Sequence, residues 1–399
     1  MGMRIISQRR EAATSIAHRQ FVSMWWIPQS SEQKQEERNR HDSPERRQGF
    51  DYWKVLECTH NYSHSAYYAG DSDEKLYWEG YDAIAQTRDA QRYIQEHDKE
   101  KPFLLVLSWE PPHAPYQTAP EEYRALYDPN DIVLRPNVPE AGKARAREDL
   151  AGYYVHCTAL DACVGDLLQT IQECGIEDDT VFCFTSDHGD MLGSQGHTRK
   201  QRPWDESIRV PFLLRYPALF GQEAREVDAN GKAVDANGHT VDANSNTVDA
   251  LLDAPDIMPT LLGLCGFAIP ETVEGLDYSK YLRGGGDPSD GAVVIMCPQP
   301  FGQWSAPRHG GVEYRGLRTH RYTYTRTLDG PWLLYDNQED PYQLDNLVDK
   351  PEYAGLKREL DAWLQRKLDA MGDEFLPGLE YIWKWDYPVD ETGTVPYTW

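Results

Sequence analysis

An abrupt change from apolar to polar residues near position 185 is the feature that most constrains how this chain can fold. The apolar run 181–184 is soon followed by Asp187-His188-Gly189-Asp190. Buried strands of α/β sheets deliver ligand-binding side chains from their carboxyl ends. The pattern therefore predicts a buried strand in an α/β sheet. On the loop that follows it, Asp187 and His188 can both reach one cation.

A basic segment lies a short distance downstream of this loop. Residues 197–202 read His-Thr-Arg-Lys-Gln-Arg and supply several side chains that bind anions. A hard cation beside fixed positive charge suits a sulfate or phosphate ester. Two unrelated surface turns, one acidic and one basic, are the alternative interpretation. The order of strand, acidic loop and basic segment favours a site.

Much of the chain before about residue 220 alternates between helical and strand patterns. Helices are predicted over 82–98 and 144–174, and buried strands over 103–108 and 210–215. Such alternation predicts a mostly parallel sheet with helices on both faces. Because the strand 103–108 runs toward His113, we expect His113 at the same sheet edge as the Asp-His loop.

The character of the sequence changes after about residue 285. A strand at 291–297, a hairpin over 311–327 with alternating Tyr and Arg, and an amphipathic helix over 352–371 follow one another. A helix with one apolar face packs that face against another element. These patterns predict a small α+β subdomain with an antiparallel sheet over 285–399.

Charge and hydropathy limit the possible partners. The formal net charge of −25 argues against nucleic acid, because phosphate backbones attract basic surfaces. The apolar patch 21–27 is too short to span a membrane and lacks the cleavage site of a secretory signal, so no localisation is assigned. The seven cysteines are scattered and odd in number, which does not indicate a disulfide framework.

A seven-residue repeat, Val-Asp-Ala followed in three copies by Asn, occupies 227–250. A heptad period is typical of coiled coils, but the glycines, Asn and Asp of the repeat disfavour a helix. A calcium-binding loop is a weaker alternative, because the acidic ligand at the twelfth position is not in place. We interpret the repeat as an inserted surface loop or array of turns without a part in the chemistry.

Several motifs occur in an order that resembles the sulfatases of the alkaline-phosphatase superfamily. They are 186–193, 204–211, Pro112-His113-Ala114-Pro115-Tyr116, 253–260 and 331–341. The resemblance covers roughly residues 48–399. It implies an alkaline-phosphatase-like α/β domain over 48–284, the C-terminal subdomain over 285–399, and hydrolysis of sulfate esters with a divalent cation.

The resemblance also implies roles for single residues. Asp187 and His188 resemble ligands of one half of a calcium site, and manganese or another divalent cation is also compatible with a histidine ligand. Lys200 resembles the catalytic lysine that contacts the sulfate oxygens, a role that Arg199 could fill instead. His113 resembles the catalytic histidine that hydrogen-bonds the sulfate or protonates the leaving oxygen.

The partner implied by the resemblance is a sulfated small molecule or glycan. His60 and His64 are candidates for lining the substrate pocket, and a structural role is equally open for both. Members of the family are often secreted or periplasmic.

The chain departs from the family pattern at its beginning. The family uses a formylglycine made from Cys or Ser in a Cys-x-Pro-Ser-Arg-like motif, and no cysteine here has Arg four residues later. We interpret the spacing of Ser15 and Arg19 as coincidence. In Ser23-Met24-Trp25-Trp26 only Trp25 matches the Gly-Lys-Trp-His element of the family. We therefore expect 1–47 to be an atypical, disordered segment of a truncated sulfatase, whose own turnover is doubtful.

Two other functions remain open from the sequence. The same scaffold also serves phosphate and phosphonate ester hydrolases. A remnant without turnover could instead bind sulfated glycans through the basic segment 197–209 and the Tyr/Arg hairpin.

Overall fold

The computed structural model describes residues 2–7, 44–56, 59–220, 247–300 and 311–386, the first of these by its backbone. The strands are β1 Gly2–Ser7, β2 Lys54–Val55, β3 Ala66–Ala69, β4 Leu76–Tyr77, β5 Leu104–Ser108, β6 Thr180–Thr185, β7 Phe212–Arg215, β8 Ala292–Cys297, β9 Tyr314–Thr319, β10 Tyr322–Thr327 and β11 Gly330–Asp336. The helices are α1 Asp82–Glu96, α2 Glu121–Arg124, α3 Lys143–Glu173, α4 Asp205–Ile208, α5 Pro217–Phe220, α6 Ile257–Leu264, α7 Ala354–Met371 and α8 Gly378–Lys384.

The main sheet has the strand order β5-β1-β6-β7. Strand β1 is antiparallel to both of its neighbours, with Gly2 opposite Ser108 and Met3 opposite Phe184. Strands β5 and β6 therefore run in the same direction, although they are not hydrogen-bonded to each other. Strand β7 is antiparallel to β6. The predicted mostly parallel pairing is not what the described sheet shows, because β1 separates the two strands that share a direction.

The beginning of the chain also differs from the sequence prediction. We expected disorder over 1–47, but Gly2–Ser7 forms β1 and Pro44–Arg47 forms a turn of 3-10 helix. The sequence of β1, Gly-Met-Arg-Ile-Ile-Ser, contains two adjacent isoleucines, which have a high strand propensity. The motifs at Ser15–Arg19 and 23–26, and most of the repeat at 227–250, lie outside the described residues.

Helices cover both faces of the main sheet, as the sequence predicts. Successive residues of a strand point to opposite faces. Phe182 of β6 packs with Leu167 and Ile171 of α3 and with residues of α1. Val181 and Cys183 pack on the other face with residues of α6. Among the described residues, no helix is long and apolar enough to cross a bilayer.

The C-terminal sheet has the order β11-β10-β9-β8, and all of its pairings are antiparallel. Helix α7 covers one face of this sheet with Leu360, Leu364 and Leu368, which are 0–3% exposed. They pack with apolar residues of β9, β10 and β11. The antiparallel sheet and amphipathic helix predicted for this part of the chain are both present.

Several side chains of the Tyr/Arg hairpin, which the sequence offered as a glycan-binding surface, are engaged within the protein. The Arg315 side chain is 1% exposed and is paired with Asp373. Arg318 is paired with Asp205, and Tyr324 is fully buried and donates a hydrogen bond to Asp361. Alternation of Tyr and Arg in a sequence does not show which side chains are exposed, because other elements can cover both faces of a hairpin.

We predict that the Arg315–Asp373 pair is a main source of stability in the C-terminal subdomain. Burial alone would raise the pKa of Asp373, but hydrogen bonds from Arg315 and Tyr381 lower it to about 2. Leaving a buried charge without its partner costs about 3–5 kcal/mol. Asp373→Asn should therefore lower the free energy of unfolding by about that amount at pH 7, measured by urea titration.

The same variant also tests a pH dependence. A carboxyl group with a lowered pKa in the folded state stabilises above its unfolded pKa, and this contribution is lost as pH falls through the folded value. The difference between wild type and Asp373→Asn should therefore shrink from about pH 4 to pH 2. The neighbouring exposed pair Glu374–Lys384 supplies the control, since Glu374→Gln should change little. A difference that is independent of pH would contradict the assignment.

Candidate functional site

Two loops meet where β5 and β6 end at the same edge of the main sheet. The loop after β5 carries His113, and the loop after β6 carries Asp187, His188 and Lys200. The Nε2 atom of His113 lies 3.2 Å from Nζ of Lys200. The rings of His113 and His188 have their centroids 6.5 Å apart. Residues that were selected from separate motifs in the sequence are therefore close neighbours in space.

Hydrogen bonds with the backbone fix the orientation of His188. Its Nδ1 lies 2.7 Å from the carbonyl oxygen of Gly189. A carbonyl can only accept, so Nδ1 carries the proton and Nε2 has a free lone pair. Nε2 lies 3.4 Å from Oδ2 of Asp187. Two ligands at a right angle and about 2.3 Å from one cation would be separated by about 3.3 Å. The pair therefore has the spacing of two neighbouring ligands.

These two side chains fit part of a divalent-cation site but do not complete one. Calcium takes six to eight oxygen ligands. Within the ranges that the structure describes, no group of three or more His, Cys, Asp and Glu could hold a metal ion. The described residues therefore supply no complete metal site, and the role of the Asp-His pair as metal ligands stays a prediction.

Gly189 brings the Asp-His loop close to helix α4. Its N–H donates to the carbonyl of Ser207 at 2.9 Å. A Cβ atom at this position would lie 2.0 Å from the carbonyl oxygen of Glu206. Only glycine fits this contact without a backbone shift, which explains why it follows the Asp-His pair.

Asp190 links the two loops through hydrogen bonds. Its Oδ2 accepts a hydrogen bond from the Tyr116 hydroxyl at 2.7 Å, and its Oδ1 accepts from the N–H of Arg199 at 2.9 Å. The Arg199 guanidinium donates to the same Tyr116 hydroxyl at 2.8 Å. Arg199 is therefore engaged by this network, whereas Lys200 faces His113. Of the two basic candidates, Lys200 is the one that lies beside His113.

Hydrogen-bond geometry makes Lys200 the donor and His113 the acceptor of the contact between them. The Nδ1 atom of His113 lies 2.8 Å from the Ala114 carbonyl, so it is the donor and Nε2 is the acceptor. Burial, reinforced by the charge of Lys200, lowers the pKa of His113 to about 4. Burial also lowers the pKa of Lys200, against the opposing effects of Asp187 and Asp190. His113 therefore accepts the hydrogen bond that Lys200 donates.

Of the two histidines predicted to line the pocket, His60 adjoins this cluster and His64 has other contacts. The His60 ring is stacked on His113, with centroids 4.8 Å apart and an angle of 8° between the planes. The exposed His64 is stacked on Tyr77 instead, with centroids 4.2 Å apart. A pocket role for His64 remains a prediction.

Sequence reasoning missed Glu110, which also lies at this edge. Its carboxylate is 3.9 Å from Nδ1 of His60. Burial raises the pKa of Glu110 to about 7. The only signal in the sequence was its position at the end of a predicted strand, immediately before two prolines.

The C-terminal subdomain supports the second loop. Met191 is fully buried and packs with Trp204, Leu333 and Tyr335. Arg318 donates to both carboxylate oxygens of Asp205 at 3.1 and 3.2 Å. The segment between Asp187 and Ile208 is therefore held on one side by the main sheet and on the other by the C-terminal sheet.

Comparisons with known proteins identify the family of this chain. The Sulfatase family model matches residues 15–267, and the model for the C-terminal region of N-sulphoglucosamine sulphohydrolase matches residues 234–370. The chain belongs to the sulfatase family. A similar protein is an ulvan-active sulfatase of Formosa agariphila, 41% identical over 90% of this chain. An endo-4-O-sulfatase of Bacteroides thetaiotaomicron is 29% identical over 80% of it. The chain spans 66% and 63% of the lengths of these two sulfatases.

Solved structures confirm the alkaline-phosphatase-like α/β fold. YidJ of Bacteroides fragilis superposes with a TM-score of 0.68 and 26% identity, covering 84% of this chain and 69% of its own. A Bacteroides thetaiotaomicron protein solved in a study of glycosaminoglycan metabolism has a TM-score of 0.69 and 25% identity, covering 87% and 70%. Sulfatases generally use a divalent cation and formylglycine.

We predict that Gly189→Ala destabilises the sulfatase site loop. The added methyl group would collide with the Glu206 carbonyl, and overpacking of this kind costs about 1–3 kcal/mol. The matched control is Gly165→Ala in α3, where an added Cβ meets nothing within 4 Å and helix propensity should give up to about 1 kcal/mol of stabilisation. Thermal unfolding of the two variants measures the difference. Equal shifts for both would contradict the close packing at Gly189.

Proposed function

We propose that this sulfatase-family chain binds and hydrolyses sulfate esters at the edge formed by the two loops. The observation that supports this most directly is the convergence of Lys200, His113 and the Asp-His pair. Each of these groups matches one need of a sulfate ester. The anionic oxygens need positive charge, and the leaving oxygen needs a proton or a hydrogen bond.

Lys200 and His113 act as a unit in this proposal. The Lys200 ammonium carries three donors, one of which faces Nε2 of His113 at 3.2 Å. The positive charge of Lys200 would stabilise the negative charge that develops on the sulfate oxygens as the S–O bond breaks. Because His113 is neutral and accepts from Lys200, the lysine holds the proton that can pass to the leaving oxygen.

Asp187 and His188 would hold part of the divalent cation, for which we propose calcium. Their oxygen and nitrogen atoms lie 3.4 Å apart, and a cation bound by both would polarise the sulfate oxygens. Formylglycine would supply the attacking oxygen in a complete sulfatase site. No cysteine in this sequence has the motif for it, so the first experiment must separate binding from turnover.

We further propose that the substrate is a sulfated saccharide. The support is the 41% identity to the ulvan-active sulfatase and the 29% identity to the endo-4-O-sulfatase. The net charge of −25 would repel a sulfated polymer at long range. Recognition would then depend on charge at the site, mainly on Lys200.

The decisive assay for hydrolysis measures sulfate release from an aryl sulfate by the pure, folded chain with calcium, beside phosphate release from the matching aryl phosphate. Sulfate release would support the proposed hydrolysis, and Lys200→Ala should then reduce kcat/KM by about 10²–10³-fold. Arg209→Ala is the matched control, because Arg209 belongs to the same basic segment but its side chain is 72% exposed and paired with Asp205. It should stay within about twofold of wild type.

If the chain does not hydrolyse sulfate esters, titration calorimetry with a sulfated disaccharide measures whether it still binds them. If no sulfate is released but the disaccharide binds and Lys200→Ala weakens binding by about tenfold or more, hydrolysis is excluded and a binding function remains. If the disaccharide does not bind, or if both lysine and arginine variants behave alike, the proposed site is wrong.

Cation dependence gives an independent prediction. Calcium should tighten disaccharide binding, because the cation would lie beside the sulfate, and EDTA should reverse the effect. Asp187→Asn should remove the calcium dependence and leave the fold intact, since the Asp187 side chain is 36% exposed. Asp277→Asn is a control for loss of one charge elsewhere. Equal calcium dependence in wild type and Asp187→Asn would contradict the assignment of Asp187.

A further inference from the structure

The backbone of the His113 loop lies on a buried layer of polar side chains. The carbonyl oxygens of His113 and Ala114 accept from the Tyr62 hydroxyl at 2.8 and 3.0 Å. The next carbonyl, that of Pro115, lies 3.4 Å from Nε2 of His156. Tyr62 and His156 are both fully buried. The buried side chains of Tyr62 and His156 thus contact consecutive carbonyl groups of the loop.

The buried layer is itself well connected. The Tyr62 ring is edge-on to the His156 ring at 5.6 Å. The Nδ1 atom of His156 lies 2.6 Å from the Tyr81 hydroxyl. Since Nε2 of His156 faces a carbonyl, it carries the proton, and Nδ1 accepts from Tyr81. Helix α3 supplies His156 and the segment before β3 supplies Tyr62, so the loop is joined to two separate elements.

The Ala114 carbonyl is where this layer meets the site. It accepts from the Tyr62 hydroxyl and also from Nδ1 of the His113 side chain, at 2.8 Å. The position of this one oxygen therefore affects which ring nitrogen of His113 carries the proton. A peptide plane turned away from the ring would leave Nδ1 without its acceptor and favour the other tautomer.

We propose that Tyr62 is a positioning residue that fixes the tautomer and ring orientation of His113 through the Ala114 carbonyl. With Nδ1 occupied in this way, Nε2 is an open acceptor directed at Lys200. The significance of this arrangement for sulfate esters rests on the proposed function, but the tautomer itself does not. Tyr62 acts through the loop backbone and is not a catalytic residue.

The test is long-range ¹H–¹⁵N correlation NMR on the full chain labelled with ¹⁵N-histidine, with His113 assigned by its loss in His113→Asn. Wild type should show His113 protonated at Nδ1 at pH 7. Tyr62→Phe should lower the ratio of the Nδ1–H to the Nε2–H tautomer by roughly five- to tenfold, the effect of one net hydrogen bond. Tyr81→Phe is the matched control, because it removes a buried hydroxyl of the same layer that bonds His156 rather than this carbonyl. It should leave the ratio within about twofold.

Three outcomes would overturn the proposal: a wild-type His113 protonated at Nε2, an unchanged ratio in Tyr62→Phe, or an equal change in Tyr81→Phe. If Tyr62→Phe does not fold, the exchange rate of the Tyr62 hydroxyl proton in the wild-type chain tests the proposal instead. A slowly exchanging, hydrogen-bonded proton supports the proposal, and a rapidly exchanging one overturns it. None of these measurements uses a sulfated ligand, so failure of the proposed hydrolysis would be seen separately, in the sulfate-release assay.

Discussion

The contact between Lys200 and His113 depends on a constraint of the sheet. The two residues are 87 positions apart, and they meet because β5 and β6 share a direction and end at one edge. Strand β1 lies between them and contributes backbone pairing to both neighbours. The spacing of the two loops is therefore set by the width of one intervening strand, about 9–10 Å across two strand spacings. Side chains from the loops then close this gap.

At this sheet edge, the positive charge of Lys200 must attract a sulfate even though the whole chain is strongly negative. The net charge is −25, and Asp187, Asp190 and Glu110 lie around Lys200. At physiological ionic strength, interactions between exposed charges are screened beyond about 8 Å. A bound sulfate would therefore respond mainly to the groups that contact it. The raised pKa of Glu110 reduces the negative charge beside the lysine, while Asp190 is occupied by its bonds to Tyr116 and Arg199.

Much of this site was predictable because its residues follow strand ends. A buried apolar run that stops at a polar cluster places that cluster at a sheet edge, and this rule located Asp187, His188 and His113. Tyr62 and His156 could not be found in this way, because a buried tyrosine and a helical histidine resemble ordinary core residues in a sequence. Strand β1 was missed because six residues ahead of a long polar segment carry too little periodicity. The burial of Arg315 and Tyr324 in the Tyr/Arg hairpin could not be predicted, because their partners Asp373 and Asp361 are far away in the sequence.

The C-terminal subdomain is part of the construction of the site even though its own residues are not candidates for chemistry. Met191 is surrounded by side chains from β11 and by Trp204, and Asp205 is bonded to Arg318 of β9. Asp205 is the first residue of helix α4. Gly189 packs against the carbonyl group of Glu206 in the same helix. A shift of the C-terminal sheet would thus move α4, then Gly189, then the Asp-His pair beside it. Interiors are close-packed and transmit such displacements. This chain of contacts links the α/β domain to the subdomain and gives a physical reason for their occurring together in one polypeptide.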